Sequence, residues 1–381
     1  MTPLTTNPPF ATPINLTGSI SFSPPVSTTN PTTVSPASID PNFNNAYAQS
    51  WNLNVEREIT PSLAVMIGYF GSKGTHLRIA RNTNQCNLTG NGCLSSASNR
   101  PFTKVSPSSA IDPGVALRNI IQVSSEANSS YNALWITTNK RLSHGLQFNA
   151  SYTFSKSIDN NSLNSQGTTV QDSFNIRNDR GLSDFDARHR FVINTLYELP
   201  FRGNRWIEVW QLSTITQAQS GNPLYVATSV SNFTGTTLNG IATLRPDLVG
   251  SVQYLNDPAL WFNNSVCDPR VTNPCPAGTV FAVPVSPTGV FHVGNLGRNA
   301  IIGPRFVNVD FSVIKTTSIT ESIRLQFRTE FFDLFNHPNF GQPGRVASPG
   351  SASFGHIVST RFPTGDSGSA RQVQFALKLL F

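Results

Sequence analysis

Three stretches of this sequence carry residue types that do chemistry in other settings. "GDSGS" at 365–369 has the small-residue surroundings of a serine nucleophile. A hydrolase of that kind needs a histidine base with a buried aspartate behind it. His189 and Asp184 are available, but they belong to long, polar-faced segments that do not suit a protease, so the stretch reads as a flexible Gly/Ser loop. "DFDARHR" gathers Asp184, Asp186 and His189, two carboxylates and an imidazole of the kind that hold divalent metals. Arg188 and Arg190 stand among them, and the expectation is charge pairing with these arginines instead. "GSKGT" at 71–75 lacks the first glycine at phosphate-loop spacing and reads as the exit of a strand into a loop. No catalytic residue, metal ligand or cofactor is expected, and the chain is not read as an enzyme.

The four cysteines form two local pairs. Cys86 and Cys93 enclose "NLTGNG", and Cys267 and Cys275 enclose "DPRVTNP". Each pair sits in a Gly/Pro/Asn-rich stretch and can close a small loop, which points to disulfides and an oxidising compartment. Free thiols remain open as an alternative. Zinc fits least, because it favours closer C-x-x-C spacing.

The elements that must position these residues read as strands. The chain has 381 residues, of which 12% are charged, about half the ~25% usual for soluble domains. It holds 26 glycines and 27 prolines, so turns and loops are many. The net charge of +7 is scattered, with no clustered basic run, and no nucleic-acid partner is expected. No apolar run approaches a membrane helix, and the first residues have none of the parts of a signal peptide. Residues 1–47 are Pro/Ser/Thr-rich and read as irregular, and a second region runs from 48 to 381.

From there the apolar residues alternate. Trp51, Leu53 and Val55 oppose Asn52, Asn54 and Glu56; Leu325 and Phe327 oppose Arg324, Gln326 and Arg328. The last residues repeat the pattern, with Val373, Phe375, Leu377, Leu379 and Phe381 on one face and Gln372, Gln374 and Lys378 on the other. Nine strands are expected, at 48–58, 62–72, 131–142, 145–157, 188–199, 206–218, 305–316, 321–335 and 371–381. They are longer than the ~5–6 residues of ordinary strands, and their connections alternate short and long. Long strands, one apolar face and long loops at one end describe an all-β, antiparallel transmembrane outer-membrane barrel. "FGHIVSTR" at 354–361 is strand-like but would break the alternation, so it is assigned to a loop. The loops 72–130, 158–187 and 220–304 are the ligand-facing candidates.

Several stretches carry a family resemblance. "SWNLNVEREITPSLAVMIGYFGSKGTHL", "YNALWITTNKRLSHGLQFNASYTFSKSIDN", "DFDARHRFVINTLYELPF" and "RLQFRTEFFDLFNHPNFGQP" resemble the C-terminal barrel part of TonB-dependent receptors of the Oar-like group. Asp333 stands where the wider class usually has Asn. The resemblance implies a partial barrel here, about nine strands of an expected 22. It also implies an export signal, a plug and the TonB contact in N-terminal parts that this chain lacks. It further implies a terminal strand whose Phe375, Leu379 and Phe381 are read by the barrel-assembly machinery. The implied location is the cell outer membrane, the implied partners are the outer-membrane bilayer and an unknown ligand at the extracellular loops, and the implied function is receptor-mediated uptake. A structural or adhesion protein with surface-binding loops is the alternative.

Overall fold

The computed structural model describes residues 33–34, 37–85, 100–102, 116–117, 119–162, 170–204, 206–228, 237–238, 241–242, 244–361 and 370–381. Nine long strands form one sheet: β1 Tyr47–Thr60, β2 Leu63–Asn82, β3 Ile121–Ser143, β4 Leu146–Asp159, β5 His189–Glu198, β6 Trp210–Gln219, β7 Phe306–Ser318, β8 Arg324–Phe332 and β9 Gln372–Leu380. Each pairs antiparallel with the long strand before and after it, so the sheet is an up-and-down meander. Among the described residues the fold is all-β apart from a 3-10 turn at Ile176–Asp179. No helix among the described residues is long and apolar enough to cross a membrane, which leaves crossing by strands untouched.

The register sorts side chains by period two. Leu53, Tyr69, Leu134 and Phe154 are successive partners across β1–β4. Across β7–β9, Lys315 pairs Phe327 and Phe327 pairs Leu377, while Val313 pairs Thr329 and Thr329 pairs Phe375. Leu325, Phe327 and Phe375 therefore share one face; Arg324, Arg328 and Gln374 share the other. The apolar face is bare, with Phe375 at 68% and Leu377 at 69% exposure. A soluble sheet covers such a face; a membrane strand leaves it to lipid. Lys315, on this face near the short-turn end, buries its stem and donates its ammonium to the Glu208 carbonyl under the Trp210 ring. On the polar face the Trp135 indole covers its ladder partner Gly68, where any side chain would collide with it.

The strands differ from expectation at their ends. β2 and β3 run beyond residues 72 and 131 as a paired extension to Asn82 and Ile121, with register shifts between Gly74 and Ile79. "GSKGT" is therefore strand, not loop exit, because β3 supplies backbone partners all along it. β6 starts at Trp210, since Trp206–Glu208 turns back on Asn204. Residues 354–361 make only isolated bridges, Gly344 with Phe354 and Phe340 with Thr360, in keeping with a loop. Within the first region, Ala37–Ile39 pairs with Ile121–Val123 of β3. "GDSGS", Cys86, Cys93 and residues 1–32 lie outside the described residues.

β1 and β9 are the two borders of the sheet, and among the described residues no ladder joins them. Where the wall meets the loop after β4 the apolar packing is small, Ile79 of β2 and Ala127 of β3 against Val170. The chain's main buried core lies in the loops instead, around Phe262, Phe281 and Phe354.

Candidate functional site

In an antiparallel meander, alternate connections fall at opposite ends. The connections 61–62, 144–145, 199–209 and 319–323 are short and share one end. The connections 83–120, 160–188, 220–305 and 333–371 are long and share the other, so four loops meet over one mouth.

Buried polar groups hold them together. Arg298, from the third loop, reaches Asp159 at the end of β4 (2.5 Å) and Ser162 (2.9 Å) and Asp184 (3.3 Å) in the second. Asn299 donates to Asp184 at 2.6 Å and to the Leu182 carbonyl at 2.7 Å. Gly181 lets this contact form, since a Cβ there would press on the Arg298 backbone. Gln171 donates to the Gly294 carbonyl at 2.9 Å and accepts from the Arg245 N–H at 2.6 Å. Gln85, in the first loop, donates to the Gln171 carbonyl at 2.8 Å and accepts from the Ser173 N–H at 2.7 Å. Arg245 meets Asp179 at 2.5 Å, both fully shut off from water. Burial pushes the Asp179 carboxyl above its ordinary value, against Arg245 and the Gln171 N–H, which lower it. The second loop lies against the polar face of the wall, with Ser155 donating to the Ala187 carbonyl and Ser157 bonded to Ser183.

Apolar packing joins the fourth loop. The rings of Phe262, Phe281 and Phe354 meet edge to face with centroids 5.2–6.1 Å apart. Asn264 donates to the Phe354 carbonyl at 2.7 Å, and the Trp261 N–H to the Gly355 carbonyl at 2.8 Å. Cys267 and Cys275 are bridged, with Cα atoms 5.8 Å apart. Inside that ring Arg270 grips Asp268 at 2.6 Å and stacks on Phe291 at 5.4 Å. The hydrogen bonds from Arg270 hold the Asp268 carboxyl below its ordinary value.

The structure parts the three residues of "DFDARHR". Asp186 does pair with Arg188, at 3.8 Å, and also accepts from the Ser157 N–H at 2.6 Å. Asp184 pairs with Arg298, which is 114 residues away, and not with Arg188 or Arg190. His189 faces outward, bonded to the Tyr152 hydroxyl at 2.8 Å and packed on Phe154. Among the described residues no cluster of three or more His, Cys, Asp or Glu is poised for a metal. The charges of this site bond the loops to one another and to the end of β4.

A polar cleft of about 420 Å³ by β1–β3, lined by Asp40, Asn42, Asn44, His76 and Glu126 among others, was not anticipated. Its sequence signal is the alternating Asp-x-Asn-x-Asn at 40–44. Asp40 caps the Asn42 N–H, and Glu126 pairs with Arg81 at 3.2 Å. Phe375, Leu379 and Phe381 are exposed at the border strand, with Phe381 last and bare.

A family described as outer membrane beta barrel domain matches residues 1–374. No curated protein matches the sequence. Solved structures similar to the chain include the ferripyoverdine receptor of the Pseudomonas aeruginosa outer membrane, at 10% identity and TM-score 0.40 over 88% of this chain and 27% of that one. The outer membrane transporter YddB of Escherichia coli is 8% identical at TM-score 0.44, over 89% of this chain and 33% of that one. The iron transporter FrpB of Neisseria meningitidis is 9% identical at TM-score 0.38, over 91% and 33%. The chain thus spans a third or less of the length of these proteins.

Proposed function

The chain belongs to the family of outer membrane β-barrel domains, and on that premise we propose that it is part of the barrel of a TonB-dependent receptor. Its location is the outer membrane. In this reading it supplies wall, lumen lining and ligand-facing loops, while the plug and the contact with TonB are carried by sequence outside these 381 residues. The resemblance of its strands to the Oar-like group supports the finer assignment.

The observation that carries the reading is the fusion of four long loops into one packed mouth through Arg298, Gln171 and Phe354. A wall that only anchors a protein has no need of loops held at fixed positions. A receptor does, because fixed positions lower the ordering cost of binding. The loop end faces outside, as long loops do in this class. Phe375, Leu379 and Phe381 are the groups offered to the assembly machinery.

Sequencing the DNA upstream of this coding region tests the proposal. A plug and a TonB-binding segment in frame are expected. An upstream region coding for neither overturns uptake and favours adhesion through the same loops.

A further inference from the structure

We propose that the outward face of β1–β4, just above its apolar band, binds the phosphorylated headgroup of a lipid in the outer leaflet. The proposal rests on the orientation given above, with the loop end outside.

Three rows of register partners cross this face. The lowest is Leu53, Tyr69, Leu134 and Phe154; the next is Trp51, Gly71, Asn132 and Lys156; the third is Gln49, Lys73, Ser130 and Ile158. The Tyr69 hydroxyl donates upward to Asn132 at 2.7 Å, which marks the level where apolar surface gives way to polar. Lys73 and Lys156 stand just above that level, and both are exposed. Arg180 comes over from the second loop and donates to Ser130 at 3.2 Å. The lysine Cα atoms are two strands and one row apart, about 12 Å, a gap that two lysine side chains can close on one anion.

The charge balance at this end is split by side. Asp159, Asp179 and Asp184 turn inward to Arg298 and Arg245. Lys73, Lys156 and Arg180 turn outward, and among the described residues none has a carboxylate within ion-pair distance. A phosphorylated lipid matches both parts of the surface. Its acyl chains lie on the lowest row while its phosphate reaches the cations. A free anion has no use for the apolar row.

The test uses the whole protein that contains this chain, extracted from outer membranes in mild detergent. Phosphorus analysis and native mass spectrometry count the phosphorylated glycolipid that stays bound. Each cation removed is expected to weaken retention roughly fivefold, so the triple variant K73A/K156A/R180A loses on the order of a hundredfold. K73R/K156R retains the lipid, and so does R57A, which removes an outward cation at the opposite end of β1. Equal retention by the triple variant, shown folded by its heat-dependent gel mobility, overturns the proposal. Displacement of the lipid by excess inorganic phosphate alone overturns the choice of a lipid. Lys156→Cys checks the orientation separately: a membrane-impermeant maleimide should label it in intact cells. Labelling only after the outer membrane is broken would sink the headgroup site and leave the upstream-plug test of uptake unaffected.

Discussion

Arg298 donates from Nη1 to Asp159 Oδ1 at 2.5 Å, although the two are 139 positions apart in sequence, and both side chains are shut off from water. Asp184 completes the cluster from a third segment. Arg298→Met would leave two carboxylates buried without their cation, at a cost of about 3–5 kcal/mol. We expect faster proteolysis of the segment 160–188 and a lower thermal midpoint in the whole protein. Replacing Asp159 and Asp184 by Asn in the same variant should recover much of the loss. Unchanged proteolysis of Arg298→Met would show that this cluster does not hold the loops.

Facing in β8 makes a paired prediction. Phe327 points to lipid and its neighbour Gln326 to the lumen, where it bonds Thr316 at 3.3 Å. Phe327→Arg should cost about 2–4 kcal/mol near the midplane and lower the amount assembled, while Gln326→Arg should be tolerated. Equal assembly of the two variants would refute the assignment of faces.

Non-reducing peptide mapping of exported protein should find Cys267 linked to Cys275, and we expect Cys86 linked to Cys93 as well. Closing the ring of 267–275 contributes about 2–3 kcal/mol by limiting the unfolded chain. Reduction should open this tip to protease first. All four thiols free in exported protein would contradict the expectation.

The same tip carries a pH dependence. Hydrogen bonds from Arg270 lower the folded-state pKa of Asp268 below its ordinary 3.8. A depressed carboxylate stabilises above its unfolded pKa and loses that contribution as pH falls through the folded one. The order of residues 268–270 should therefore be constant from neutral pH down to about 4 and decline below it. Hydrogen exchange across 268–272 reads this, and Asp268→Asn should abolish the dependence. A decline centred near neutral pH would be inconsistent with this pair.

The borders predict the behaviour of the chain alone. Among the described residues β1 and β9 each leave one edge without a ladder partner, and lipid does not tolerate unpaired backbone groups. Residues 1–381 expressed without further strands should aggregate or be degraded. A protease-resistant, heat-modifiable monomer from this chain alone would overturn that.

The sheet was largely legible in the sequence because a strand's facing is local. Alternation at Val373–Phe381 needs only the two-residue period and a medium on each side, lipid and water, to assign both faces. Strand ends were less legible. The extension of β2 to Asn82 depends on Ile121–Ser130 lying beside it, and nothing within "GSKGTHLRIARN" announces that partner.

The loop assembly was decided by tertiary structure. The charges of "DFDARHR" were evident, but not that Asp184 would meet Arg298 in preference to its near neighbours Arg188 and Arg190. A charge within a few residues is always close, so it is the natural first partner to name. Burial reverses the choice: once water is excluded, a carboxylate needs a cation with good geometry whatever its distance along the chain. Gln85 meets the Gln171 carbonyl, and Phe354 packs on Phe262 and Phe281, across similarly long stretches of sequence. The sequence by itself determined the wall, whose order is periodic and whose solvent is given on both sides. Only the folded chain decided the mouth, where loops with no period choose partners by what they shut away from water.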